Sequence, residues 1–212
     1  MGENIGAAAR VMLNFGLTDL RIVKPRDGWP NERALDMAVG AREVVEQAKI
    51  YESLNEATAN LQFLYATTAR TREMDKEVVT PREIALHGAT GFVFGPERTG
   101  LTNEDITLCD KIISIPVNEK FSSLNLAQTV AIIAYEVSGL KIVAGKRELA
   151  SKEEIASLFS HLESELDARG FFQEPNKKPG MIANIRTMLA RAEFSGQEVR
   201  TFRGIIKALT KI

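Results

Sequence analysis

Residues 112–136, IISIPVNEKFSSLNLAQTVAIIAYE, decide how the rest of the chain must be arranged. The short apolar run Ile112 to Pro116 predicts a buried strand that stops at a proline. A polar loop follows from Asn118 to Phe121. Ser122 and Ser123 then stand where N-cap side chains belong, ahead of a run of helix formers. The predicted helix, Leu124 to Val137, carries Leu126, Ala127, Val130, Ala131, Ile132, Ile133 and Ala134 and is apolar almost all round. Such a helix must be covered by protein on most sides. The chain, or a second copy of it, is therefore built around this segment.

Outward from it, apolar runs and helical patterns alternate. Asn4 is placed to cap a helix from Ile5 to about Phe15, ended by Gly16. Leu20 to Val23 reads as a strand, Asn31–Met37, Ala41–Ala48 and Leu54–Asn60 as helices, and Gln62–Thr67 as a second strand. After a polar loop from Thr67 to Lys76, Pro81 suits the first turn of a helix capped by Thr80 and running to near Gly88. Gly91–Phe94 is a third strand, followed by the loop Gly95–Gly100. Thr102 with Asp105 resembles a capping box. Strands alternating with helices imply an α/β fold with a parallel sheet, in which ligands bind beyond the carboxyl ends of the strands. Gly, Ser, Thr, Glu and Arg gather in the loops after strands two, three and four, which makes those loops the candidate site.

Past Gly139 the pattern changes. Residues 141–150 read as a polar linker. Ser151 and Glu154 form a capping-box pattern for a helix to about Ala168 with Ile155, Leu158, Phe159, Leu162 and Leu166 on one stripe, stopped by Gly170. Two more helices fit Met181–Phe194 and Gln197–Thr210. From Arg169 onward nine Lys or Arg stand against three Glu, so this helical end is basic although the whole chain has a net charge of −1. Any attraction to nucleic acid must come from a local patch.

With 212 residues, 44% hydrophobic and 26% charged, the chain has the composition of a soluble globular protein. No apolar run reaches the ~18 residues of a membrane span, and no signal peptide pattern opens the chain. A single cysteine, Cys109, excludes an intrachain disulfide framework and fits a reducing, cytoplasmic setting. Two histidines, His87 and His161, lie far apart and in no ligand spacing, so no metal site is expected. Neither a Walker loop nor a G-x-G-x-x-G motif occurs.

Three polar clusters remain: Asn4-x-Gly-x-x-x-Arg10; Phe94-Gly-Pro-Glu97-Arg-Thr-Gly100-Leu101; and Ile115-Pro-Val-x4-Ser122-Ser123-Leu124-Asn125. In this order they closely resemble the three motifs of the SpoU branch (TrmH type, SPOUT superfamily) of RNA 2′-O-ribose methyltransferases. The basic tail, with Gly170-Phe171-Phe172 and Glu198-Val-Arg200-Thr-x-Arg203-Gly204, resembles the C-terminal extension of the TrmJ subgroup, which methylates tRNA nucleotide 32 in the anticodon loop. The likeness covers essentially the whole chain.

The resemblance implies a SPOUT fold with a deep C-terminal trefoil knot, a homodimer, and S-adenosylmethionine as cofactor. It implies a methyltransferase domain over 1–140, a linker over 141–150 and a helical tRNA-binding extension over 151–212. It assigns cofactor binding to Thr67, Thr68, Ala69, Gly95, Gly100, Ile115, Ser122, Ser123 and Leu124, and catalytic roles to Arg10, Asn4, Glu97, Ser123 and Asn125. The family pattern begins with a strand and loop ahead of the Asn4 motif that this sequence does not carry. The expectation is a sheet short of one strand, with Asn4 and Arg10 on an untethered end. The plain alternative readings are a surface ion pair for Glu97 and Arg98 and a solvated helical face for the basic tail. An rRNA substrate, or an RNA-binding dimer without catalysis, stands as the alternative to tRNA methylation.

Overall fold

A computed structural model describes residues 1–68, 76–118, 120–121, 123–141 and 148–211. Ala69 and Ser122, both expected to bind cofactor, lie outside the described residues.

The chain opens with helix α1 (Gly2–Asn14), followed by strand β1 (Arg21–Val23), helices α2 (Glu32–Ala38) and α3 (Arg42–Glu46), strand β2 (Lys49–Tyr51) and helix α4 (Leu54–Thr58). β1 and β2 pair in parallel with Ile22 opposite Ile50. A second, four-stranded sheet holds β3 (Phe63–Thr67), β4 (Val78–Val79), β5 (Thr90–Phe94) and β6 (Lys111–Ile113) in the order β4-β6-β3-β5, every pair parallel. The strands expected at 20–23 and 62–67 therefore do not share one sheet. β2 and β4 were not expected; at three and two residues they are too short to show a period of two.

β3 is central, and Phe63 through Ala66 are all buried, as a parallel strand covered on both faces requires. Its side chains alternate between two cores. Phe63 and Tyr65 pack with Val79, Ile84, Ile113 and with Ile133 and Val137 of helix α6 (Leu126–Ser138). Leu64 and Ala66 pack with Leu101, Cys109, Ile112 and Ile106 of helix α5 (Asn103–Leu108). α6 thus covers part of one sheet face through Ile133 and Val137.

Several local expectations change in the folded chain. α1 begins at Gly2 with Met1 as its N-cap, so Asn4 lies inside the helix and caps nothing. Gly2 and Gly6 are buried against α2, and a Cβ at Gly6 would stand 2.2 Å from the Ala34 carbonyl oxygen, so close packing extends the helix to the start of the chain. α1 also packs on α6, so the segment with Asn4 and Arg10 is held on two sides rather than untethered. The helix expected after Pro81 is a single 3-10 turn, Pro81–Glu83. The buried Tyr65 hydroxyl donates to the Ala85 carbonyl (2.9 Å) and accepts from the Ala85 N–H (3.2 Å), which holds the following backbone out of a helix. The cap of α6 is Asn125, not Ser122 or Ser123. The Asn125 side chain accepts from Ala127 N–H at 2.8 Å, and Gln128 Oε1 accepts from Asn125 N–H at 3.1 Å, so Leu124 falls outside the helix. The strand expected to reach Pro116 ends at Ile113, with Ser114 N–H still donating to the Val79 carbonyl at 2.9 Å.

Helices α7 (Lys152–Ala168), α8 (Lys178–Ala190) and α9 (Gly196–Thr210) form the helical end of the chain, whose basic part begins at Arg169, after α7. The Ser151–Glu154 box caps α7 as expected. Leu158, Val199, Ile206 and Ala150 make a separate small core, with Leu158 fully buried.

Candidate active site

The carboxyl ends of β5, β3 and β6 lie side by side, with Thr67 opposite both Phe94 and Ile113. This register brings the first residues after the three strands, Thr68, Gly95 and Ser114, to one edge of the sheet. Thr67 Oγ1 donates to the Val93 carbonyl at 2.9 Å, and Thr68 N–H donates to the Ile113 carbonyl at 3.2 Å. Both threonines are half-buried. Ile115 is half-buried against the Phe63–Tyr65 core.

The middle loop is closed by its own backbone. Gly100 N–H donates to the Pro96 carbonyl at 2.7 Å. At Gly95 a Cβ would lie 2.4 Å from both the Gly100 carbonyl carbon and the Leu101 nitrogen, so no larger residue fits while that turn holds. Leu101 anchors the loop in the core. Between these points Pro96, Glu97, Arg98 and Thr99 are exposed.

Glu97 connects two loops. Its Oε1 accepts the N–H of Leu126 at 3.3 Å, the first residue of α6. A carboxylate suits that position because the first N–H groups of a helix lack intrahelical partners and carry partial positive charge. The alternative surface pair between Glu97 and Arg98 is not formed. Asn125 caps the same helix end, so Glu97 and Asn125 meet at the start of α6, with exposed Ser123 and half-buried Leu124 just before it.

The structure therefore gathers Thr67, Thr68, Gly95, Glu97, Gly100, Ile115 and Asn125 at one edge. Asn4 and Arg10 stand on α1, which packs on α6; Phe15 and Tyr135 seal that contact edge to face, centroids 6.2 Å apart. Among the described residues no polar contact joins Asn4 or Arg10 to the strand-end group. Arg10 is exposed, without an ion pair there. Gln128, which completes the cap of Asn125, was not singled out in the sequence, although Asn-x-x-Gln ahead of an apolar helix is a legible capping signal.

Other reactive groups are committed elsewhere. Burial pushes the Cys109 thiol up to about 12, reinforced by the nearby Asp110 carboxylate. His87 stacks on Phe63 with centroids 4.6 Å apart. Among the described residues no group of three His, Cys, Asp or Glu is placed to hold a metal.

The donor set fits S-adenosylmethionine. Backbone groups at three adjacent strand ends, half-buried Ile115 and Leu124, and the close-packed backbone at Gly95 offer both apolar surface and hydrogen bonds to a nucleoside-sized ligand.

The sequence comparisons agree with this geometry. Residues 2–135 match the model of the SpoU rRNA Methylase family, and residues 153–212 match the C-terminal domain of the tRNA methyltransferase TrmJ. The chain belongs to the SpoU methylase family. Its relatives include the tRNA (cytidine/uridine-2′-O-)-methyltransferase TrmJ of Escherichia coli O6:K15:H31, 34% identical over 97% of this chain and 89% of that protein. The crystal structure of TrmJ from Z. mobilis ZM4 superposes with a TM-score of 0.94 at 44% identity, covering 100% of this chain and 95% of that one. The SpoU methyltransferase AviRb from Streptomyces viridochromogenes, solved with AdoMet, shares the fold at a TM-score of 0.55 and 22% identity, over 65% of this chain and 55% of its own.

Proposed function

We propose that this chain transfers the methyl group of S-adenosylmethionine to a ribose 2′-hydroxyl of tRNA, at nucleotide 32 of the anticodon loop. The observation that carries this reading is the meeting of the Thr67, Gly95–Leu101 and Glu97–Asn125 groups at one sheet edge, in a SpoU-family chain whose end matches a tRNA methyltransferase domain.

The cofactor, when bound, supplies a methyl group already activated on a sulfonium. The chain must align the ribose oxygen and help its proton leave. Thr67, Thr68, Ala69, Gly95, Gly100, Ile115, Ser122, Ser123 and Leu124 hold the cofactor. Arg10 grips the adjacent phosphate with its fork of N–H donors and stabilises the charge that develops on the 2′-oxygen. It is exposed and makes no ion pair among the described residues, which leaves it available for that task. Asn4 and Asn125 orient Arg10 and the ribose, Ser123 contacts the reacting region, and Glu97 organises the loop against α6.

Residues 1–140 form the methyltransferase domain, knotted at its C-terminal end as in the SPOUT fold. Residues 141–150 link it to the tRNA-binding helices over 151–212. Two copies pair through the face of α6 that carries Tyr135, which is 67% exposed. The protein works in the cytoplasm, where its substrate is.

The test is Arg10→Ala, assayed for methyl transfer to tRNA transcripts and to rRNA fragments, alongside calorimetric titration with S-adenosylmethionine. Transfer should fall by roughly 10²–10³, the cost of removing one charge-stabilising donor, while cofactor affinity persists. Loss of cofactor binding would sink the role given to Arg10. Wild-type transfer to rRNA alone would replace the tRNA reading, and RNA binding with no transfer at all would leave the binding-only one.

A further inference from the structure

The helical end of the chain is joined to the sheet at the end opposite the candidate site. Lys152, the first residue of α7, places its ammonium on both oxygens of Asp110, at 2.7 and 2.5 Å, and both side chains are only 14% exposed. The same carboxylate accepts Leu64 N–H at 2.7 Å, which fixes it to β3. The backbone repeats the connection. Lys152 N–H donates to the Leu61 carbonyl (2.8 Å) and Glu153 N–H to the Ala59 carbonyl (3.0 Å). Two first-turn donors of α7 that the helix itself cannot satisfy are thus satisfied by the sheet unit. Gln62 Nε2 adds a bond to the Leu149 carbonyl at 2.8 Å.

At the other side of the helical unit, α9 packs on α7 through Val199 and Ile206 and turns Arg200, Lys207 and Lys211 outward, while Arg203 Nη1 donates to Ser157 Oγ of α7 at 3.2 Å. Among the described residues none of these four cations makes an ion pair. Such a face matches the phosphate backbone of a folded RNA. β3, five residues long, separates the joint from Thr67, on the order of 15 Å at the usual rise. A substrate held by α9 is therefore presented to the strand-end loops at a separation that the joint sets.

We propose that Asp110 and Lys152 are positioning residues: they fix the cationic face of α9 relative to the strand-end loops, and so determine which ribose of a bound RNA reaches the site. This rests on the methyltransferase reading above. A free hinge would let α9 grip the same phosphates while several neighbouring riboses visited the loops. A clamped one admits a single register.

Lys152→Met removes the charge and keeps the length, and Lys152→Arg keeps the charge. The Met variant retains a partner for Asp110, because Leu64 N–H stays in place. Two readouts are needed. The first is the distance distribution between spin labels at Glu43→Cys and Thr201→Cys, measured with labelled chain diluted in unlabelled chain. Cys109 is too deeply buried to take label. The second is tRNA methylation, with kcat, KM and the modified position mapped. In Lys152→Met we expect a broadened distance distribution, unchanged cofactor affinity, KM raised about tenfold with kcat altered less than about twofold, and product spread onto neighbouring riboses. Lys152→Arg should restore all of these. Unchanged KM and a single unchanged product in Lys152→Met would overturn the proposal, as would a distance distribution as narrow as that of the wild type. Should the wild-type chain methylate no RNA, the functional reading falls first, and the distance measurement still reports whether the joint is rigid.

Discussion

Gly95 shows how little room the middle loop leaves. Its missing side chain lets the Gly100–Leu101 backbone approach to a separation that no Cβ tolerates. Gly95→Ala must push that turn away and spoil the surface offered to the cofactor. We expect at least about a tenfold loss of S-adenosylmethionine affinity, roughly 1.4 kcal/mol, in calorimetric titration. Gly100→Ala is the control. Gly100 has a φ of +68° with open space around it, so its substitution costs about 1–2 kcal/mol of backbone strain without a collision. Equal effects of the two substitutions on affinity would mean that strain, not close approach, governs the loop. The motif glycines could be picked out in the sequence. The reason for them could not, because the collision is with residues that only the folded turn brings back.

Among the elements, α7 and α6 are both begun by capping boxes. Ser151 Oγ accepts Glu154 N–H at 3.2 Å, and Glu154 Oε2 accepts Ser151 N–H at 2.9 Å. Ser151→Ala should destabilise the chain by about 1 kcal/mol, read as a drop of a few degrees in the unfolding midpoint, about 2–4 °C for this size. No change would mean that the bonds from Lys152 and Glu153 to the sheet carry the helix start alone. The box at α7 was plain in the sequence because Ser-x-x-Glu is local. The cap of α6 was misplaced by two to three residues, since three candidate side chains, Ser122, Ser123 and Asn125, stand close together there. Propensity cannot choose among them. The choice follows where Glu97, from another loop, meets the first turn of α6. The helix expected after Pro81 failed for a related reason, because a hydroxyl 20 residues upstream holds the backbone of Ala85.

For the whole molecule, the net charge of −1 hides a basic end. If α9 meets RNA phosphates, Lys207→Ala should weaken binding to all RNAs alike and lower the salt dependence of log K by about one unit. Binding measured across a salt series reads both effects, and an unchanged slope would remove Lys207 from the contact. The sequence by itself determined the alternation of strands and helices, the central place of the apolar segment after residue 124, the separate basic helical end, and the three clusters that mark the SpoU family. These follow from local periodicity, capping chemistry and motif spacing, which neighbouring residues carry among themselves. Only the tertiary structure decided that the strands divide into two sheets, that Glu97 reaches the start of α6, and that α1 is clamped between α2 and α6. It alone joined Lys152 to Asp110, 42 residues apart in sequence. Each of these is a contact between distant segments, selected by shared burial and by polar groups that must find partners once water is excluded.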